Sequence, residues 1–159
     1  MMEFPWRKNK DPRVEFILKA HRRWLEGKRN GIRADFSGQI VSGYDFKNAK
    51  LRKACFRCAN LSYVDFRLAD LMGADFSFCV LNGVDFRDAF LGAAKFYGAI
   101  NLDRKFSIGS VPITIRGADF RGAYMCDADF RRADMAGALL DGANLSGVRV
   151  KGTIGLKEE

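Results

Sequence analysis

The chain has 159 residues, of which 48% are hydrophobic and 29% charged, and a formal net charge of +8. One domain's length with this composition excludes wholesale disorder. No apolar run approaches the ~20 residues of a membrane span, no apolar signal-peptide core follows Met1, and one His without a Ser/His/Asp or Cys/His grouping weighs against hydrolytic catalysis.

The first predicted element is a helix over Asp11–Gly27. Asp11 suits the N-cap, Pro12 the first turn and Gly27 the stop. Val14, Ile17, Leu18, His21, Trp24 and Leu25 share one face at helical spacing. The basic charge is concentrated here: residues 1–33 carry ten Lys/Arg against four acids, residues 34–159 seventeen against fifteen.

From Phe36 a different period takes over. Every fifth residue is large and apolar, from Phe36, Val41, Phe46 and Leu51 through to Leu91 and Phe96. Two residues before each centre sits a small one in most cases, such as Ala34, Ala54, Ala69 or Ala94; Gln39 and Tyr44 are the poor fits. The residue between is often Asp or Asn, and eleven of the sixteen Gly fall two residues after a centre. A period of five matches neither helix nor strand. It requires a chain that turns a corner every five residues, with the centre and its small neighbour pointing inward. Gly at the corner permits a positive φ.

The run A-(D/N)-(L/F)-x-x resembles the pentapeptide-repeat family over residues 34–155, about three quarters of the chain. The resemblance implies an all-β fold: a right-handed quadrilateral β-helix with four pentapeptides per coil. Phe36, Phe56, Phe76 and Phe96 then stack in one column, and Phe46, Phe66 and Phe86 in the opposite one. The pattern falters over 97–112 and resumes as Ile115, Phe120, Met125, Phe130, Met135, Leu140, Leu145 and Val150. A four-residue insertion near 107–112 restores the phase, provided Asn101 and Phe106 take core positions. It puts Phe120 in the first Phe column and Phe130 in the second, and gives about six coils. A solenoid end needs a lid, so the helix in residues 1–33 is expected to cap the N-terminal coil. Residues 156–159 form a charged tail. The chain lacks the C-terminal helix of the family's better-known dimers, leaving a monomer or an end-to-end dimer through the C-terminal coil.

Cys55 and Cys58 have Cys-x-x-Cys spacing but no second ligand pair. They read as small thiols in a reducing cytoplasm, with no metal and no cofactor. The outward columns are more informative. Asp45, Asp65, Asp85 and Asp129 are expected to stack beside Lys47, Arg67, Arg87 and Arg131, as parallel stripes of opposite charge. They make a salt-bridged solvated face, at about 0–1 kcal/mol per pair, or a charged interaction groove. Phe78, Val80 and Ile100 form a candidate apolar patch.

These features point to a non-enzymatic interaction module or scaffold with a protein partner. The resemblance implies an alternative. Some family members mimic the DNA duplex and bind DNA gyrase or another type II topoisomerase, inhibiting it or protecting it from quinolones. That activity relies on an acidic rod, and the charge of +8 has the wrong sign. A third reading is nucleic-acid binding through the basic surface, against which the Lys47–Arg131 stripe shows no interleaved aromatic platform.

Overall fold

The computed structural model describes residues 11–97 and 118–155. Helix α1 spans Pro12–Leu25. Asp11 caps it by accepting a hydrogen bond from the Arg13 backbone amide at 2.8 Å. Glu26 ends it, and Gly27 turns away with φ of 64°. Val14 and His21 are buried, and Ile17 and Leu18 pack against the core of the coils. The chain then passes so close to the Trp24 backbone that a Cβ on Gly31 would overlap it.

His21 joins α1 to the first coil. Its ring stacks on Trp24, and its Nδ1 accepts from the Ala34 backbone amide at 3.0 Å. The ring proton therefore sits on Nε2, which has no partner at hydrogen-bonding distance. Burial holds the His21 pKa below the ordinary imidazole value; the Arg52 carbonyl opposes this and the Arg33 charge adds to it. Above pH ~6.5 the imidazole is neutral in both folded and unfolded chains. Below that, the unfolded chain takes up a proton that the folded one resists, so stability falls with pH. We expect melting temperatures to drop as the pH is lowered from about 6.5 to 5. His21→Asn, which keeps an acceptor for Ala34, should flatten that drop; an unchanged slope would remove His21 as its source.

From Ala34 the chain turns every five residues. The fourth residue of each turn donates its amide to the carbonyl of the first, as Ala49 does to Phe46 at 2.9 Å and Ala54 to Leu51 at 3.0 Å. The third residue is left-handed, whether it is Gly (Gly38, Gly73) or not (Lys53, Tyr63, Leu68). Four turns make one coil, and each face pairs with the next coil through a single parallel bridge. The faces are too short for longer strands. We number them by their first central residue: face 1 from Phe36, face 2 from Val41, face 3 from Phe46 and face 4 from Leu51.

The bridges first step by twenty residues, Asp35 to Cys55 to Asp75 to Lys95 on face 1. Then Asp85 pairs with Asp119, Phe90 with Tyr124 and Lys95 with Asp129, a step of thirty-four. The four-residue insertion is therefore incorrect: the ladder requires fourteen. Phe120 stacks on Phe86 at 4.9 Å and Phe130 on Phe96 at 4.5 Å, each in the column opposite to the one expected. The extra residues fall within 98–117, so the insertion near 107–112 and the expectations for Asn101 and Phe106 lie outside the described residues. Among the described residues face 1 carries six rungs and faces 3 and 4 five, little more than five coils.

Among the described residues the core is a double file of nine buried phenylalanines. Rings within a column stack face to face, as Phe56 does on Phe76 at 4.9 Å; rings of opposite columns meet edge-on, as Phe66 and Phe76 do at 5.7 Å. Burial of each ring contributes about 1.5–3 kcal/mol, and this close packing leaves no slack for a misplaced side chain. The two poor fits to the repeat lie in the first coil. Tyr44 is buried under α1, its hydroxyl donating to Glu15 at 2.9 Å, while Gln39 stays exposed.

Candidate interaction surfaces

The Asp or Asn before each central residue has a local structural task. The amide of the residue after the centre points outward, away from the ladder. The carboxylate or amide two positions back accepts from it: Asp35 from Ser37, Asp65 from Arg67, Asp129 from Arg131, Asn144 from Ser146, at 2.9–3.1 Å. These turns satisfy backbone donors that the short faces leave over. The repeated acid thus follows from backbone geometry as well as surface charge.

On face 3 the bridges align Asp45, Asp65, Asp85 and Asp119, with Lys47, Arg67, Arg87 and Arg121 alongside. The expected stripes form one interleaved ladder. The Arg67 guanidinium grips Asp65 through Nε and Nη2 at 2.9 and 2.6 Å, and its Nε reaches Asp85 of the next coil at 3.5 Å. Arg87 repeats this with Asp85 and Asp119. Asp65 is only 4% exposed, so a two-pronged pair of this kind is worth more than an ordinary surface ion pair. The Arg121 hydrogen bond holds the Asp119 carboxyl below its usual range.

Asp129 and Arg131 do not belong to this face. The fourteen-residue insertion moves them half a coil round, onto face 1. Asp129 follows Lys95 there and precedes Arg149, while Asp119 and Arg121 extend the face 3 ladder.

Phe78 is half-buried at the corner of faces 1 and 2. It meets Tyr97 edge-on at 5.8 Å, and Arg57 lies over its ring. Val80 is half-buried on face 2, bridged to Asn60, and Ile100 lies outside the described residues. The more exposed apolar surface is on face 4, where the sequence reading did not place one. Phe90 and Tyr124 stack there at 5.2 Å, 44% and 52% exposed, with exposed Met72 and Leu68 nearby. Gly92 leaves a notch that the Met72 methyl approaches. A signal was present: both rings occupy the position that Asp or Asn fills elsewhere.

Pentapeptide repeats match the sequence in eight copies, over residues 32–67, 59–88, 69–100 and 114–152. The chain belongs to the pentapeptide-repeat family. Its fold is accordingly the family's right-handed quadrilateral β-helix. Among solved structures, it resembles the pentapeptide repeat protein Rfr23 from the cyanobacterium Cyanothece 51142, at 20% identity, 84% of this chain, 95% of that one and a TM-score of 0.56. It also resembles alr5209 from Nostoc Pcc 7120, at 24% identity, 84% and 93% coverage and 0.54. QnrB1, a plasmid-mediated fluoroquinolone resistance protein, matches at 21% identity over 76% of this chain and 79% of its own, with a TM-score of 0.40, too loose to carry function across. The first two likenesses show the fold alone. No curated protein sequence matches.

For this pentapeptide-repeat chain the coils present faces whose outward residues stack in columns. Among the described residues no His, Cys, Asp or Glu group is placed to hold a metal ion, and no helix is long and apolar enough to cross a membrane. Cys79 is buried, where desolvation pushes its pKa up, so it is not a reactive thiolate.

Proposed function

We propose that this pentapeptide-repeat chain is a non-enzymatic interaction module that docks a partner protein on face 4. One observation carries the reading: the stacked, exposed Phe90–Tyr124 pair, with exposed Met72 beside Gly92 on the same face. Exposed aromatics and Met beside a notch are the anchors that protein interfaces favour. In the same reading residues 1–33 cap the β-helix of residues 34–155, residues 156–159 are a tail, and the four free thiols suit a reducing cytoplasm. Oligomeric state stays between monomer and end-to-end dimer, since Leu145 and Ile154 are exposed on the last coil.

A photo-crosslinking residue at position 90 should trap a discrete partner in the native host, and the Phe90→Ser/Tyr124→Ser variant should not retain it. The same probe on face 3, in place of Lys47, should trap nothing. Equal trapping from both positions would sink the assignment to face 4.

The duplex-mimic alternative is not adopted. Three of the four face 3 aspartates are gripped by an arginine of their own coil, so the face is close to neutral at a distance. A basic DNA-binding saddle gains little from such a surface. We expect no inhibition of gyrase supercoiling at micromolar protein; salt-sensitive inhibition would restore the alternative.

A further inference from the structure

The register that moves Asp129 and Arg131 to face 1 also assembles a basic cluster there. Lys95, Asp129 and Arg149 form one column, and Tyr97, Arg131 and Lys151 the next. Arg132 stands at the adjoining corner. Tyr97, Arg131, Arg132, Lys151 and Gly152 line a groove of about 350 Å³. On these three rungs five cations meet one acid, Asp129; Asp75, on the rung before Lys95, is paired with Arg57 at 3.3 Å. Arg131 holds Asp129 at 2.8 Å and Arg149 approaches it at 3.7 Å. Among the described residues no acid pairs with Lys95, Arg132 or Lys151. Asp127 and Asp134 lie beyond the two corners: the Asp127 carboxylate lies over Gly147 of the next coil, and Asp134 accepts from the Ala136 amide at 3.0 Å.

The groove has an aromatic floor. The Arg131 and Arg132 guanidiniums both stand 5.9 Å from the centre of the Tyr97 ring. Phe78, under Arg57, continues the aromatic surface down the same corner. The cations sit on successive rungs about 4.8 Å apart, strung along a flat face. An aromatic interleaved with a line of cations suits a polyanion whose units carry both a phosphate and a π-face. A phosphorylated side chain would call for one enclosed pocket, and a duplex presents no base face to stack.

We propose that face 1, around Tyr97, Arg131, Arg132 and Lys151, is a binding site for single-stranded nucleic acid. It is separate from the face 4 patch and does not depend on it. Arg132 and Lys151 take phosphates, Tyr97 stacks a base, and Arg131, held by Asp129, positions the ring between the cations.

The test is fluorescence anisotropy of the full chain with labelled oligo(dT) of about twelve nucleotides, a length within one stacking site's reach. With about four phosphates neutralised, log K should fall with log salt at a slope of about −3. Arg132→Glu/Lys151→Glu should weaken binding at least ~10-fold and flatten that slope. Arg52→Glu/Lys53→Glu, the same charge change on face 4, should alter it less than ~3-fold. Tyr97→Ala should cost at least ~5-fold with the slope kept. Melting curves confirm that each variant is folded. Equal losses in both double variants would show attraction by net charge alone and overturn the proposal. So would absence of binding at low salt, heparin or duplex DNA binding as tightly with no dependence on Tyr97, or displacement by a phosphopeptide in preference to the oligonucleotide.

Discussion

Phe66→Asp should abolish folding. Phe66 is fully buried at mid-column. Its ring stacks on Phe46 and Phe86, at 5.2 Å each, and meets Phe56 and Phe76 edge-on at 5.5 and 5.7 Å. Removing such a ring costs about 3–5 kcal/mol through lost burial and the cavity left behind. The carboxylate adds a larger penalty, because the surrounding rings offer it no hydrogen-bond donor. A domain's whole margin is about 5–15 kcal/mol, and stacked coils share one core, so the fault spreads to both sides. Leu68→Asp, two residues on, is the control. Leu68 is 46% exposed at a left-handed corner, φ 59°, a conformation that Asp tolerates better than most residues. Its stability should change by no more than about 0.5 kcal/mol. Arg67→Asp falls between, since it frees the nearly buried Asp65 from its guanidinium and sets a second carboxylate beside it. Circular dichroism melts should show no cooperative transition for Phe66→Asp and a near-normal one for Leu68→Asp. Two similar melts would mean that the inward and outward positions are misassigned.

The inward positions were legible because thirteen successive centres obey one period and each offset places a residue on a definite side of the chain. The helix was legible from Asp11, Pro12 and Gly27, residues with a local backbone role. What the sequence left undetermined was the phase beyond Phe96, for a specific physical reason. Phe and aliphatic centres alternate, so Phe recurs every ten residues, while a coil repeats every twenty. Insertions of four and of fourteen residues differ by half a coil, and both bring Phe onto Phe. The outward residues repeat the ambiguity: Ala118-Asp-Phe-Arg121 and Ala128-Asp-Phe-Arg131 are interchangeable as the next rung of the face 3 ladder. Only backbone pairing, Asp85 with Asp119 and Lys95 with Asp129, separates the two. The candidate surfaces inherited that ambiguity, which is why Arg131 was expected beside Arg87 and stands beside Tyr97. The face 4 patch was missed differently. Its Phe90 and Tyr124 are thirty-four residues apart, so no repeat at twenty brings them together.

Deleting residues 1–30 should turn a well-behaved protein into an aggregate or a new oligomer. Val14, Ile17 and Leu18 of α1 cover the end of the core at the first coil. Without them Phe36, Val41, Tyr44 and Phe46 meet water on one side, at about 1.5–3 kcal/mol for each side chain fully exposed. Polar partners go as well. The Ala34 amide loses the His21 Nδ1 acceptor, the Tyr44 hydroxyl loses Glu15 and the Ile32 amide loses the Ala20 carbonyl. The first coil also has an open edge. In later coils the amide just before each centre donates to the coil below, as Cys55 does to Ala34 and Asp65 to Tyr44; among the described residues the amides of Asp35, Ile40, Asp45 and Lys50 have no such acceptor. An apolar end ringed by unpaired amides is a template for another chain's edge. Light scattering on the size-exclusion eluate should therefore show a mass above the monomer, and melting of any soluble fraction should begin at lower temperature. A monomeric truncation with an unchanged melt would mean that α1 decorates the coils and does not cap them.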